Sequence, residues 1–244
     1  NECVATSSVT LVEPAALAML ITGVDISCGG LCDGSANVIA AGGTTPYTYA
    51  WSNGDMGQIA DSLCAATLSL AITDANGCLA SSSVVISEPT TVVVAIPSYG
   101  DIDCFGNCNG FAQSGVSGGV SPYTYSWNTS SINDQIVGLC SGVYAVTVED
   151  NNGCTDTTSV AISEPPAVTL SLTSQAISCY SYCDGSATVT ATGGVAPYLY
   201  LWDDNNFQTT MTAAGLCVGA YSVVVTDSKG CSSTTTVAFT EPQA

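Results

Sequence analysis

The chain has 244 residues, 46% of them apolar, with 20 acidic side chains, one basic side chain (Lys229), no histidine and a formal net charge of −19. That balance excludes nucleic acid and anionic membranes as partners, because affinity for both rests on Lys and Arg. Without His or Arg there is no Ser-His-Asp or Cys-His nucleophile, no His-ligated metal and no bidentate phosphate clamp.

Charged residues make up only 9% of the chain, so the surface has to be built from Ser, Thr, Asn, Gln and Gly. No catalytic, cofactor-binding or metal-ligating residue is expected, and no cofactor. The 13 cysteines do not show the two close pairs per unit that a four-cysteine zinc site needs. Disulfides and an oxidising, extracellular location are expected instead. Asn1-Glu2-Cys3 does not read as a signal peptide, and no apolar run reaches the 18 or so residues of a membrane span. The sequence is expected to be a window on a longer mature protein.

Residues 1–14 open the chain with a pattern that returns later. Asn1-Glu2-Cys3 through Glu13-Pro14 matches Asn76-Gly77-Cys78 through Glu88-Pro89, which marks the segment as the last strand of a preceding unit. Donation of this strand to complete a neighbouring subunit is the alternative. Three full units are expected after it, at 15–89, 90–165 and 166–244. Each ends in Glu-Pro (Glu88-Pro89, Glu164-Pro165, Glu241-Pro242) and carries four cysteines. These are Cys28, Cys32, Cys64 and Cys78, then Cys104, Cys108, Cys140 and Cys154, then Cys179, Cys183, Cys217 and Cys231. The first two of each set are 4 apart and the last two 14 apart, while the middle gap is 32, 32 and 34.

Within the second unit, Thr91–Ile96 and Gly110–Val116 read as strands, and Gly118-Gly119 as a turn. Tyr123–Trp127 follows with aromatic residues at every second position on one face. The polar segment Asn128–Gln135 reads as a loop or short edge strand, and Val143–Glu149 as a strand. Asp150-Asn151-Asn152-Gly153 forms a hairpin turn, since Asn-Gly tolerates positive φ. Cys154–Ser163 is the last strand, closed by Glu164-Pro165 because proline cannot donate to a ladder. Six or seven short strands in about 75 residues with no helical period predict a small Ig-like sandwich. The fold class is therefore all-β, with tandem Ig-like β-sandwich repeats arranged as an extended disulfide-stapled rod. Trp51, Trp127 and Trp202 are its expected core residues. Tyr144 and Tyr221, in Gly-Leu-Cys-x-Gly-x-Tyr, are its expected tyrosine corners. The first unit has Ser62, Ala66 and Leu68 at those positions, so its corner bond is expected to be missing and the unit to be locally less rigid.

Cys-Phe-Gly-Asn-Cys-Asn-Gly (104–110), Gly-Gly-Val-Ser-Pro-Tyr-Thr-Tyr-Ser-Trp (118–127), Gly-Leu-Cys-Ser-Gly-Val-Tyr (138–144) and Asp-Asn-Asn-Gly-Cys (150–154) followed by Ser-Glu-Pro resemble the SprB repeat. The resemblance covers all three units. It implies the stalk of a giant bacterial cell-surface adhesin exported by type IX secretion, gliding motility in some members, and no catalysis.

Strand direction places the cysteines. The loop holding Cys104 and Cys108 and the loop holding Cys140 lie at one end of a unit. Cys154 follows the hairpin at the other end, about 20 Å away along a seven-residue strand. A disulfide needs Cα atoms within about 7 Å, so Cys140 pairs with Cys104 or Cys108. Cys28 or Cys32 is then expected to bond Cys154, and Cys104 or Cys108 to bond Cys231. Cys3 and Cys78 reach upstream or to a neighbouring unit, and Cys179 or Cys183 reaches downstream. A local bond between the two close cysteines, with free thiols elsewhere, is the alternative.

The residues Asp74-Ala75-Asn76, Asp150-Asn151-Asn152 and Asp227-Ser228 read as turn formers rather than calcium ligands. The Tyr-Tyr-Trp stripe reads as core rather than as a sugar-stacking platform. Asn128-Thr129-Ser130 fits a glycosylation sequon, and Asp61-Ser62-Leu63 and Asp156-Thr157-Thr158 resemble bacterial O-glycosylation sites. The expected function is a structural stalk or filament segment. Repeats that grip polysaccharide, or a spacer on a secreted enzyme, are the alternatives. Expected partners are neighbouring repeats of the same longer chain, other copies in a fibre, and polysaccharide or surfaces bound through a tip outside this sequence.

Overall fold

The structure is a computed structural model that describes residues 3, 5–240, 242 and 243. Asn1, Glu2 and Glu241, which the repeat alignment uses, lie outside the described residues. Eighteen strands and no helix form among the described residues. They are β1 (Ala18–Val24), β2 (Gly34–Ala41), β3 (Thr48–Trp51), β4 (Ile59–Leu63), β5 (Ala66–Thr73), β6 (Leu79–Ile86), β7 (Val93–Gly100), β8 (Gly110–Ser117), β9 (Thr124–Trp127), β10 (Gln135–Leu139), β11 (Gly142–Glu149), β12 (Thr155–Ile162), β13 (Thr169–Gln175), β14 (Gly185–Thr192), β15 (Leu199–Trp202), β16 (Thr212–Leu216), β17 (Gly219–Thr226) and β18 (Ser232–Phe239). The same six-strand pattern occurs three times, as two three-stranded sheets: β1-β2-β4 with β3-β5-β6, β10-β8-β7 with β12-β11-β9, and β13-β14-β16 with β15-β17-β18.

The described residues group into two compact units. One takes in residues 1–94, 116–124 and 148–156, the other 95–115, 125–147 and 157–244. In the first, β1 pairs antiparallel with β2 over seven residues and β5 with β6 over eight. Alternation decides which side is buried. Ala36 and Val38 on β2, Leu68, Leu70 and Ile72 on β5, Trp51 and Ile86 point inward to one core, while their neighbours face out. The second unit repeats this with Ala187, Val189, Trp202, Val223, Val225 and Phe239. Tyr47, Tyr49, Tyr198 and Tyr200 pack against these cores.

Each tryptophan is held by its indole N–H, which donates to a carbonyl of the following loop: Trp51 to Gly57 (2.9 Å), Trp127 to Asn133 (2.8 Å) and Trp202 to Thr210 (3.0 Å). The hydroxyls of Tyr47, Tyr123 and Tyr198 donate to the carbonyls of Gly42, Gly118 and Gly193, fastening the Gly-Gly turn to the next strand. The bonds Thr45-Pro46, Ser121-Pro122 and Ala196-Pro197 are cis, which the sequence reading did not anticipate.

Strand β10 is one that the sequence reading did not place. The segment taken as loop or edge strand ends where the strand begins, and Gln135–Leu139 pairs with β8. Its register shifts between Val137 and Leu139, at Gly138, where φ is 70°. Gly215 holds the equivalent place at 71°, and Ser62 at 53°. A side chain in this left-handed region costs roughly 1 kcal/mol relative to glycine, part of which glycine loses again through its greater unfolded-state entropy. Ser62→Gly is therefore expected to stabilise the first repeat by about 0.5 kcal/mol. Thermal unfolding reads the difference, and a lower melting temperature in the variant contradicts it.

Residues 5–17 form no strand. Leu11, eight residues after Cys3, occupies the sequence position that Ile86, Ile162 and Phe239 occupy after their hairpin cysteines. Those three are buried, whereas Leu11 is 91% exposed.

Candidate functional site: the cystine-linked loops

Two kinds of cystine organise the chain. Three close a loop inside one repeat, with Cα–Cα distances of 4.0 Å: Cys32–Cys64, Cys108–Cys140 and Cys183–Cys217. Two join one repeat to the next: Cys28–Cys154 at 5.6 Å and Cys104–Cys231 at 5.5 Å. In each set the second of the two close cysteines bonds inside the repeat, and in the first two sets the first reaches the following hairpin. Cys3, Cys78 and Cys179 are free and exposed.

Local hydrogen bonding presents the outward cysteine. After β1 the chain turns through Asp25–Asp33. Asp25 Oδ1 accepts the Ser87 N–H (2.8 Å), and the Ile26 N–H donates to the Ser87 carbonyl (3.0 Å), tying the loop to the end of β6. Asp33 accepts both the N–H and the hydroxyl of Ser27. The Gly30 N–H donates to Glu88 Oε2 (2.9 Å). The second repeat repeats the arrangement: Ser163 N–H to Asp101, and Gly106 N–H to Glu164 Oε2 (2.8 Å). Glu88 and Glu164 belong to the Glu-Pro motif, which the sequence reading took only as a strand terminator. The motif also clasps the cysteine loop in the first two repeats, and its recurrence once per repeat was the available signal.

The hairpin side is built on a buried carboxylate. Asp150 Oδ1 accepts the N–H groups of Asn152 and Cys154 (2.9 Å each), and Oδ2 accepts that of Val120 (2.8 Å). Asp74 receives Asn76, Cys78 and Thr44 in the same way, and Asp227 receives Lys229, Cys231 and Val195. These oxygens hold the turn, as the turn reading requires. At the joined loops the Asn152 amide donates to the Ser27 carbonyl (2.9 Å). Lys229 Nζ lies 3.6 Å from Asp103, with both side chains about half exposed. Such a pair contributes little. The hydroxyl of Tyr144 donates to the Cys140 carbonyl (2.9 Å) and that of Tyr221 to the Cys217 carbonyl (3.3 Å). Leu68 carries no hydroxyl. The Asn128 amide of the sequon donates to Val143 O (2.9 Å), and its oxygen accepts the Ala145 N–H.

The carboxyls at these turns are held below their ordinary pKa. For Asp74 the first cause is the Cys78 N–H, and for Asp33 and Asp184 it is the serine hydroxyl each accepts. For Asp150 and Asp227 desolvation pushes upward, but the backbone N–H bonds outweigh it. A depressed folded pKa gives stability that is present above the unfolded value near 3.8 and is lost as pH falls through the folded value. In high salt, which screens the repulsion of the acidic surface, the melting temperature is expected to stay level from pH 7 to about pH 5 and to fall below about pH 4. Calorimetry across that range checks it, and a melting temperature that rises below pH 4 contradicts it.

Among the described residues no cluster of His, Cys, Asp and Glu is placed to hold a metal ion, and no helix is long and apolar enough to cross a membrane. Sheet order, burial and cystines together define a class: tandem Ig-like β-sandwich repeats linked through disulfides. More specifically, a family model described as the SprB repeat matches three segments of the chain, residues 21–56, 100–131 and 171–207. No curated protein matches the chain. Solved structures similar to it include one titled for host cell surface retention of a 1.5-MDa bacterial ice-binding adhesin, at 12% identity, TM-score 0.39, covering 95% of this chain and 100% of that one. Another is the N-terminal eight Ig domains of Down Syndrome Cell Adhesion Molecule, at 12% identity, TM-score 0.40, covering 94% of this chain and 35% of that one. A third is a tetra-tandem repeat from the extending region of a large adhesion protein, at 14% identity, TM-score 0.24, covering 91% and 73%.

Proposed function

We propose that the chain is a segment of the stalk of a long bacterial cell-surface adhesin, outside the cell, performing no catalysis and holding an adhesive part away from the surface. The observation that carries this reading is the pair of cystines joining successive repeats, Cys28–Cys154 and Cys104–Cys231. A cystine between modules constrains their separation, and a spacer needs that property where a catalyst does not. The SprB match supports the surface location, and oxidised cysteines fit an extracellular compartment. The packing of Tyr47, Tyr49, Tyr198 and Tyr200 on their cores favours a spacer over a sugar-stacking platform. On this reading the repeats divide at 15–89, 90–165 and 166–244. Cys3 and Cys78 bond upstream neighbours, Cys179 bonds a downstream neighbour, and export by the type IX route serves attachment or gliding.

Gold-tagged antibody against one repeat, applied to intact cells, tests the proposal in the electron microscope. Gold along filaments projecting from the cell is the expected result. Gold confined to the culture fluid overturns the stalk and favours the spacer of a secreted enzyme.

A further inference from the structure

We propose that the five cystines form one continuous covalent strap that carries tension past the sandwich cores, so that the array keeps its length under load even when its repeats unfold. The strap deepens the stalk reading by naming what bears the load, but its test does not depend on where the protein is located.

Tracing the bonds reveals the path. From Cys78 the chain runs back fourteen residues to Cys64, crosses to Cys32, runs back four residues to Cys28 and crosses to Cys154 in the next repeat. From Cys154 it runs back fourteen to Cys140, crosses to Cys108, runs back four to Cys104 and crosses to Cys231. From Cys231 it runs back fourteen to Cys217, crosses to Cys183 and runs back four to Cys179. Every cystine lies on this line, and its two ends are the free cysteines Cys78 and Cys179. Each repeat contributes fourteen and four residues, 18 in all, where the sequence from Cys78 to Cys154 takes 76.

Two further observations fit a load path. The spacings on the strap, 4 and 14, are the same in all three repeats, whereas the gap that the strap bypasses is 32, 32 and 34. Length is held constant only where it sets the reach of the strap. The fourteen-residue segments also contain β5, β11 and β17, each the middle strand of its sheet, with a neighbour on both sides.

The consequence is mechanical. Between the termini the shortest covalent route is 27 residues to Cys28, the 18 from Cys154 to Cys104 by way of Cys140 and Cys108, and 13 from Cys231 to the end, 58 against 243 along the chain. At about 3.5 Å per extended residue, the oxidised chain stretches to about 200 Å and the reduced chain to about 850 Å.

Optical tweezers with handles at the two termini of the full chain, its three free thiols alkylated, test this. The expected result is a maximum contour length about fourfold shorter before reduction than after it. Cys28→Ser leaves a shortest route through Cys32–Cys64 and Cys104–Cys231 of 84 residues, and is expected to lengthen the oxidised limit to about 290 Å without unfolding any repeat. An oxidised limit near 500 Å is what the three intra-repeat cystines alone would give, since they lock 32, 32 and 34 residues and leave 145. That result, or one equal to the reduced length, overturns the strap. Neither bears on whether the protein forms a surface stalk, which the gold labelling decides separately.

Discussion

Trp202→Ala is expected to destabilise the third repeat by about 3–5 kcal/mol, a large share of what holds a domain of this size together. The indole is fully buried, packed among Ala187, Val189, Ala213, Val223 and Val225, and its N–H satisfies the Thr210 carbonyl at 3.0 Å. Truncation removes the apolar contacts, leaves a cavity between two sheets of only three strands each, and costs the carbonyl its partner. Leu201, the adjacent residue on β15, faces outward and is 51% exposed. Leu201→Ala is therefore expected to change stability by no more than about 0.5 kcal/mol. Urea unfolding of both variants checks the pair. A Trp202→Ala loss as small as that of Leu201→Ala contradicts the assigned core.

Replacing Cys183 and Cys217 together by serine is expected to cost the third repeat about 3–4 kcal/mol. The bond closes a loop with a sequence separation of 34, and the cost follows from the chain entropy that the unfolded state regains when the loop opens. A small sandwich buries a limited core, so such a bond weighs heavily. Denaturant midpoints of the oxidised parent and the double variant measure the effect, with the parent under reducing conditions as reference. The reduced parent is expected to fall to the level of the variant or below it, because reduction also opens Cys104–Cys231. Equal stability of oxidised parent and variant contradicts the pairing.

Much of the fold was legible because its signals are local. Period-two alternation marks β5, β11 and β17, and Asn-Gly and Lys-Gly pairs mark the hairpins that follow them. Ends of strands are legible where proline or paired glycines stand. Strand β10 was obscured because Gly138 interrupts its alternation with a bulge and a polar run precedes it. The cystine network was legible to the level of loops. The length of β11 excludes a bond between Cys140 and Cys154, but Cys104 and Cys108 sit on one loop, and spacing alone does not choose between them. The choice comes from the clasp between Glu164 and the Gly106 N–H and from the hairpin held by Asp227, contacts between residues 58 and 32 positions apart in sequence. Asp150 read correctly as a turn former. Its bond to Val120, thirty residues upstream, which ties the turn to the sandwich, had no local signature.

Peptide mapping of the unreduced, alkylated protein by mass spectrometry after pepsin digestion decides whether cystines join successive repeats, since trypsin has only Lys229 to cut after. One linked peptide pair containing Cys28 and Cys154 and another containing Cys104 and Cys231 are expected, both disappearing on reduction. Cys154 linked within its own repeat, or Cys28 linked to Cys32 with Cys154 alkylated, contradicts this pairing.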